Sequence, residues 1–190
     1  FISIARFYDR LALLRGRKGK ETELKKFFLE KGPDLEMKVR LSLGRVTDEN
    51  LKVGLGTVER AISLAAGASP GRIKKLLIDY GEHGEVAFLL TSSKTPKLTV
   101  EEVYESIRIL PRLERVEDRI LNMSSLLRLA TPEEAKYIIR LILGDLKLGY
   151  YERTAISAVS QAYGIPFEIV ERVTAILGVV DGLKLASKGE

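Results

Sequence analysis

Residues 131–164 read TPEEAKYIIRLILGDLKLGYYERTAISAVSQAYG, and this stretch decides the fold class. Its opening combines Thr131 as an N-cap, Pro132 at the first helical position and Glu134 at the third, which is a capping box. Apolar residues then recur at helical spacing up to Gly144: Ala135, Ile138, Ile139, Ile142 and Leu143. A second amphipathic segment ends at Gly164. The stretch therefore predicts two helices joined by a glycine-bracketed loop.

The same signals for helix starts and stops recur on both sides of this stretch. They predict further helices that start at Thr57, Ser69-Pro70, Thr99 and Pro166, and upstream helices over Ile4–Leu14, Glu21–Lys31 and Leu35–Leu43. No stretch alternates apolar and polar residues long enough to predict a sheet, and no repeat has a fixed period. The sequence predicts an all-α protein of many short helices. A joint near residues 91–98 could divide the domain into two helical lobes.

Length and composition exclude several classes of protein. The chain has 190 residues, no Cys and one His, which excludes disulfides, thiolate metal sites and multi-His zinc sites. No apolar run approaches the roughly 20 residues that a membrane-spanning helix needs. The net charge is 31 − 26 = +5. These features are typical of a soluble, intracellular, mildly basic protein.

The basic excess lies near the N-terminus. Residues 1–30 carry 8 basic and 4 acidic side chains, a local +4. The excess is concentrated where Arg15, Arg17, Lys18 and Lys20 alternate with Gly16 and Gly19. Glycine interrupts helices and lets backbone amides approach a ligand, so a flexible basic loop here would suit phosphate contact. A solvated connection between two helices is the alternative interpretation.

No catalytic constellation is visible in the sequence. The cluster Glu82-His83-Gly84-Glu85 holds a single His, whereas a metalloprotease helix needs two at i and i+4. Asp181-Gly182 lacks a lysine two residues before the aspartate, so the Lys-x-Asp-Gly element of nucleotidyl transferases is incomplete. No phosphate-binding Walker loop or dinucleotide fingerprint occurs.

Two glycine-framed turns point to backbone phosphate binding. Gly54-Leu55-Gly56 precedes a predicted helix and resembles the turn of helix-hairpin-helix modules, although a tight core-packed turn explains it equally well. The loop from Gly144 to Gly149 has glycine at both ends and Lys147 inside, so its amides could hold a sugar-phosphate. Tyr150-Tyr151 follows, and these rings either rest on sugars or, as we expect, pack inward.

The glycine-bracketed loop and the helices beside it resemble those of a known family. The run from Glu134 to Gly149 and the helix that follows resemble the signature of the N-terminal DNA-binding domain of ATP-dependent DNA ligases, the archaeal type above all. Weaker segments agree in order and approximate spacing: 43–46, 54–56, 65–67, 84–87 and 98–104. The resemblance covers nearly all 190 residues.

The resemblance implies one helical domain over residues 1–190, a compact array of about a dozen short helices. Such a domain grips duplex DNA across the minor groove and at its phosphates, independently of sequence, in a ligase that seals nicks in replication, repair and recombination. Carried over position by position, its DNA-binding residues are Arg17, Lys18, Lys20, Arg119, Gly144, Lys147 and Gly149. The family's Gly/Ser-rich phosphate loop is replaced by residues 110–118, where Arg112, Arg115 and Arg119 could substitute.

The resemblance also implies what this chain does without. Adenylation and OB-fold domains would lie outside it and would bind the ATP and Mg²⁺, so the chain alone should hold no cofactor, metal or catalytic residue and be inactive. Its partners would be nicked double-stranded DNA and other domains of the same ligase, in the cytoplasm at the nucleoid and not at a membrane. Residues 91–97 lack the stretch with which some archaeal ligases bind the sliding clamp. A helical protein–protein scaffold that binds no nucleic acid is the competing hypothesis.

Overall fold

A computed structural model describes residues 1–188, and its regular elements are all helices. The predicted all-α class is confirmed for this part of the chain. The helices are α1 Ile2–Leu13, α2 Arg17–Leu29, α3 Leu35–Leu43, α4 Leu55–Ala66, α5 Pro70–Tyr80, α6 His83–Leu90, α7 Val100–Arg108, a 3₁₀ turn Leu110–Arg112, α8 Val116–Leu129, α9 Pro132–Leu143, α10 Glu152–Tyr163, α11 Phe167–Leu177 and α12 Val179–Lys188.

The predicted capping signals are confirmed at three helices. Thr131 and Glu134 form a reciprocal capping box at α9, and the hydroxyls of Ser69 and Thr99 accept from the third amides of α5 and α7. The prediction that Thr57 starts a helix as its N-cap was wrong. Gly54 is the N-cap of α4, and its carbonyl accepts from Val58 N at 3.1 Å, so the helix starts before the threonine is reached. Glycine tolerates the extended N-cap conformation without a capping side chain.

The chain divides into two units. The first consists of Phe1–Tyr8 with Val46–Leu146, and the second of Asp9–Arg45 with the chain from Lys147 onward. The predicted joint at residues 91–98 connects α6 to α7 inside the first unit.

In the first unit, α6 packs against α9 and α4 packs against α8. Its core includes Tyr8 and Tyr137, whose rings lie 5.0 Å apart, and fully buried isoleucines of α9. The apolar stripe predicted for α9 is buried in this core, as its amphipathic pattern requires, while Lys136 and Arg140 on the same helix contact Phe88 and Glu82 at α6 and its N-cap.

In the second unit, α2 packs against α10, and α12 packs against α3, α10 and α11. Leu24, Phe27 and Phe28 of α2 are buried, as are Ala155 and Val159 of α10. The pairing of α2 with α10 matters for the site, because it brings the start of α2 to the loop that precedes α10.

The start of α6 is held by an ion pair within the first unit. Glu82 is its N-cap and accepts from the amides of Gly84 and Glu85, both at 2.9 Å. Arg140 Nη2 of α9 donates to Glu82 Oε1 at 2.7 Å. Burial alone would raise the pKa of Glu82, yet the Arg140 guanidinium and the two amides hold that pKa below its usual value.

We expect Glu82→Gln to lower the free energy of unfolding at pH 7 by about 1–2 kcal/mol, because Arg140 loses the nearer and more buried of its two charged partners. The folded-state pKa lies below the unfolded one, so this stabilisation is present above about pH 4.5 and is lost as the pH falls further. Urea unfolding at pH 7 and pH 3 should show a larger difference between the two pH values in the parent than in the variant. Glu85→Gln is the control, since Glu85 lies 3.4 Å from Arg140 and is more exposed. An unchanged pH dependence in Glu82→Gln would contradict this assignment.

Candidate nucleic-acid interface

The loop after α9 places an exposed lysine between two buried leucines. α9 ends at Gly144, which has a left-handed φ of 76°. Leu146 and Leu148 are 8% and 5% exposed, whereas Lys147 is exposed. Lys147 itself has a φ of 54°, a conformation that a residue with a side chain adopts only where its surroundings hold it. The leucines therefore fix which side of the loop carries the ammonium group.

The second glycine of this loop lies against a lysine of α2. Lys20 Nζ donates to the carbonyl of Leu148 at 2.6 Å and to that of Gly149 at 3.2 Å. Lys20 is 8% exposed, so its ammonium group faces these carbonyls instead of bulk water. Gly149 has a φ of 69°, and a Cβ at this position would lie 2.9 Å from Lys20 Nζ. Sequence reasoning placed Lys20 and Gly149 in one interface but could not show that they touch.

The basic turn is a helix start and not the flexible loop that the glycines suggested. Gly16 is the N-cap of α2 with a φ of 79°, and Arg17, Lys18 and Lys20 all lie in the first helical turn. Gly19 is tolerated inside that turn, at a cost of about 1 kcal/mol relative to alanine, and a Cβ there would make ordinary contact with the Leu14 side chain at 3.5 Å. Arg17 and Lys18 are exposed.

A buried carboxylate fastens the start of α2 to α10. Glu21 accepts from Arg17 Nε at 2.6 Å and from Gln161 Nε2 at 2.9 Å. Glu21 is 8% exposed and its two hydrogen bonds are partly buried, whereas the Arg17 side chain reaches into solvent. No short motif signals the Gln161 contact in the sequence, because the two residues lie 140 positions apart.

The two tyrosines after Gly149 behave differently. The Tyr150 hydroxyl donates to the carbonyl of Ser42, and burial raises the pKa of that hydroxyl. Tyr151 is 86% exposed at the N-cap of α10. The expectation that both rings pack inward therefore holds for Tyr150 and was wrong for Tyr151. The Tyr150 hydroxyl has a partner in α3, whereas Tyr151 lies in extended backbone at the N-cap of α10.

We call residues 17–20 and 147–151 of the second unit the loop–helix junction. It contains the N-termini of α2 and α10, and no side chain caps the first amides of either helix. Helix N-termini carry partial positive charge and favour anions. The junction thus combines two such termini with three exposed cations, Arg17, Lys18 and Lys147.

In the first unit, the predicted DNA-binding residue Arg119 is buried. It is 9% exposed, and its guanidinium lies 3.4 Å from the carbonyl of Lys52 and 3.5 Å from that of Glu114. Arg119 Nε is buried without a hydrogen-bond partner. Arg112 and Arg115, the neighbouring basic residues that could substitute for the family's phosphate loop, are exposed.

The described residues offer neither a metal site nor a membrane-spanning helix. Within residues 1–188, no group of three or more His, Asp or Glu side chains is placed to hold a metal ion. His83 is the first residue of α6 and lies 3.4 Å from Glu59, as expected for a histidine at a helix start. Across the same residues no helix has both the length and the apolar character required to span a bilayer.

The chain belongs to the family of DNA ligase N-terminal domains. The family model described as "DNA ligase N terminus" matches residues 1–160. This match confirms the resemblance read from residues 131–164.

Archaeal DNA ligases are among its relatives. The chain is 33% identical to DNA ligase 1 of Methanosarcina acetivorans over 171 residues, which cover 86% of this chain and 30% of that protein. It is 30% identical to a DNA ligase of Nanoarchaeum equitans, covering 93% and 34% of the two chains, and 36% identical to one of Pyrobaculum arsenaticum, covering 65% and 24%. The chain thus spans about a third or less of the length of these relatives.

Proposed function

We propose that this chain binds duplex DNA independently of base sequence and holds a nick in register for a DNA ligase. The loop–helix junction is the observation that carries this proposal, because uncapped helix N-termini beside exposed cations are a chemistry suited to phosphate. Because the chain belongs to a DNA ligase family, we expect the phosphates that it binds to be those of DNA.

Binding in this proposal depends on charge and shape. Arg17, Lys18 and Lys147 neutralise phosphates, while the amides of Gly149 and Tyr150 approach the sugar-phosphate backbone closely. Gly144 contributes the turn that ends α9, since its own amide donates to the carbonyl of Leu141. Minor-groove contact discriminates poorly among bases, so the form of the duplex and not its sequence governs affinity. Arg119 acts from inside the first unit, by fixing the backbone near the exposed Arg112 and Arg115.

The reaction itself is assigned to other parts of the ligase. We infer that ATP and Mg²⁺ act in adenylation and OB-fold domains, since residues 179–182 lack the lysine that a Lys-x-Asp-Gly element requires. The partners of the chain are then nicked double-stranded DNA and these other domains, and its location in the cell is the nucleoid. Its biological role is nick sealing in replication, repair and recombination.

A titration of nicked and intact duplex with the 190-residue chain tests this function. Fluorescence anisotropy of labelled DNA, at 50 and 200 mM salt and with two unrelated sequences, gives the affinity and its salt dependence. If three cations each neutralise one phosphate, the slope of log K against log salt is about −2.7, which is roughly a 40-fold loss between the two salt concentrations. Equal affinity for both sequences is expected. No binding at 50 mM salt would refute the proposal and favour a protein–protein scaffold.

Tyr151 gives a prediction that charge cannot explain. An exposed aromatic ring beside a phosphate-binding loop is placed to contact a deoxyribose or a base edge. We expect Tyr151→Ala to weaken DNA binding about 3- to 10-fold, with the salt slope unchanged, because the lost contact releases no counterion. Tyr80→Ala in the first unit, another exposed tyrosine, is the matched control. The same affinity in Tyr151→Ala as in the parent would contradict the role of this ring.

A further inference from the structure

Lys20 differs from the other cations of the loop–helix junction in facing the protein. Its neighbours Arg17 and Lys18 are exposed, whereas Lys20 is 8% exposed. Both hydrogen bonds of its ammonium group go to main-chain carbonyls of the loop, those of Leu148 and Gly149. Two of its three N–H donors are thus used by the loop, and burial keeps the ammonium group away from the surface.

These two hydrogen bonds fix two peptide planes. Within a trans peptide, the carbonyl and the following N–H point in opposite directions. Because Lys20 holds the carbonyl of Leu148, the amide of Gly149 points away from Lys20. The carbonyl of Gly149 likewise sets the direction of the Tyr150 amide. One buried lysine therefore aims two successive N–H groups.

The backbone at Gly149 fits this arrangement. Gly149 has a left-handed φ of 69°, and a Cβ at this residue would lie 2.9 Å from Lys20 Nζ. Glycine thus serves both the backbone conformation and the approach of the ammonium group. The deep position of Nζ is also held from α2 itself, whose first turn is fastened to α10 through Glu21 and Gln161.

We propose that Lys20 is a positioning residue, which aims the amides of Gly149 and Tyr150 at the sugar-phosphate backbone without touching DNA itself. This inference rests on the proposed function, since the amides have a target only if the junction binds DNA. It separates the cations of the first turn of α2 into two kinds: Arg17 and Lys18 contribute charge, and Lys20 contributes loop geometry.

Lys20→Met and Lys18→Met form a matched pair, because both remove one ammonium group from the same helical turn. In the free protein, ¹⁵N relaxation should give order parameters near 0.85 at residues 148–150 in the parent and in Lys18→Met, and values below about 0.6 in Lys20→Met. DNA titrations from 50 to 200 mM salt should show about a 10-fold loss of affinity for Lys20→Met at every salt concentration. Its slope should equal that of the parent, whereas Lys18→Met should reduce the slope by about 0.9.

Each result decides between the alternatives. A slope reduced by about 0.9 in Lys20→Met would show that Lys20 neutralises a phosphate and would overturn the inference, as would unchanged order parameters. If Lys20→Met does not fold, Lys20→Gln, which keeps a polar group at this position, is measured with the same expectations. Absence of DNA binding by the parent would refute the proposed function. In that case a rigid loop in Lys20→Met would still refute the positioning role separately.

Discussion

Lys147→Glu is expected to weaken binding to nicked duplex about 10- to 100-fold at 50 mM salt. A single phosphate contact contributes about a factor of 15 at this salt concentration, and the new carboxylate adds repulsion. The salt slope should fall by about 1 to 2. Because glutamate is unbranched at Cβ like lysine, the backbone at φ 54° is equally strained in both, so stability should change little.

Lys94→Glu provides the control for Lys147→Glu. Lys94 is an exposed lysine of the first unit, outside the loop–helix junction, and its replacement changes the net charge by the same amount. Anisotropy titrations of both variants separate a local contact from the general effect of net charge. Equal losses of affinity in the two variants would show that Lys147 makes no specific contact.

Gly149→Val is expected to lower both stability and DNA affinity. A β-branched residue is strongly disfavoured at a φ of 69°, and its Cβ would displace Lys20 Nζ from the carbonyls that it binds. We expect a loss of about 2–4 kcal/mol in the free energy of unfolding and a fall of about 5–15 °C in Tm. In the folded fraction, affinity should fall at least about 10-fold, because the amides that follow Leu148 lose their direction.

Gly164→Val isolates the backbone part of that effect. Gly164 ends α10 with a φ of 66°, and a Cβ there would meet no atom within 4 Å. Gly164→Val therefore introduces the strain of a left-handed φ but displaces no neighbouring side chain. Thermal unfolding and DNA titration of the two variants give the contribution of the Lys20 contact as their difference. Indistinguishable stability and affinity would mean that this contact has no influence on the loop.

The elements that the sequence predicted well are those with local signals. α9 has a capping threonine, a proline, an apolar stripe and a terminal glycine, and the structure confirms each of them. α6 carries no such signals. Its N-cap is Glu82, its residues are apolar on several sides, and its packing against α9 comes from tertiary contacts. Periodicity alone therefore did not outline it.

The same distinction applies to the candidate site. Sequence alone indicated the basic turn and the glycine loop, because residue type and spacing mark both. The burial of Lys20 was hidden, since its partners lie 128 and 129 positions away in the chain. The outward position of Tyr151 and the inward position of Tyr150 were hidden too, because two adjacent tyrosines look alike until a neighbouring helix offers an acceptor to one of them.

The alternation of buried and exposed residues from Leu146 to Leu148 sets a limit on the length of the loop. Adding or removing one residue would exchange the roles of the two leucines and Lys147, placing an ammonium group in an apolar interior and leaving an isobutyl group in water. Substitution at position 147 leaves this register intact. Homologous chains of the family should therefore conserve the number of residues in this turn.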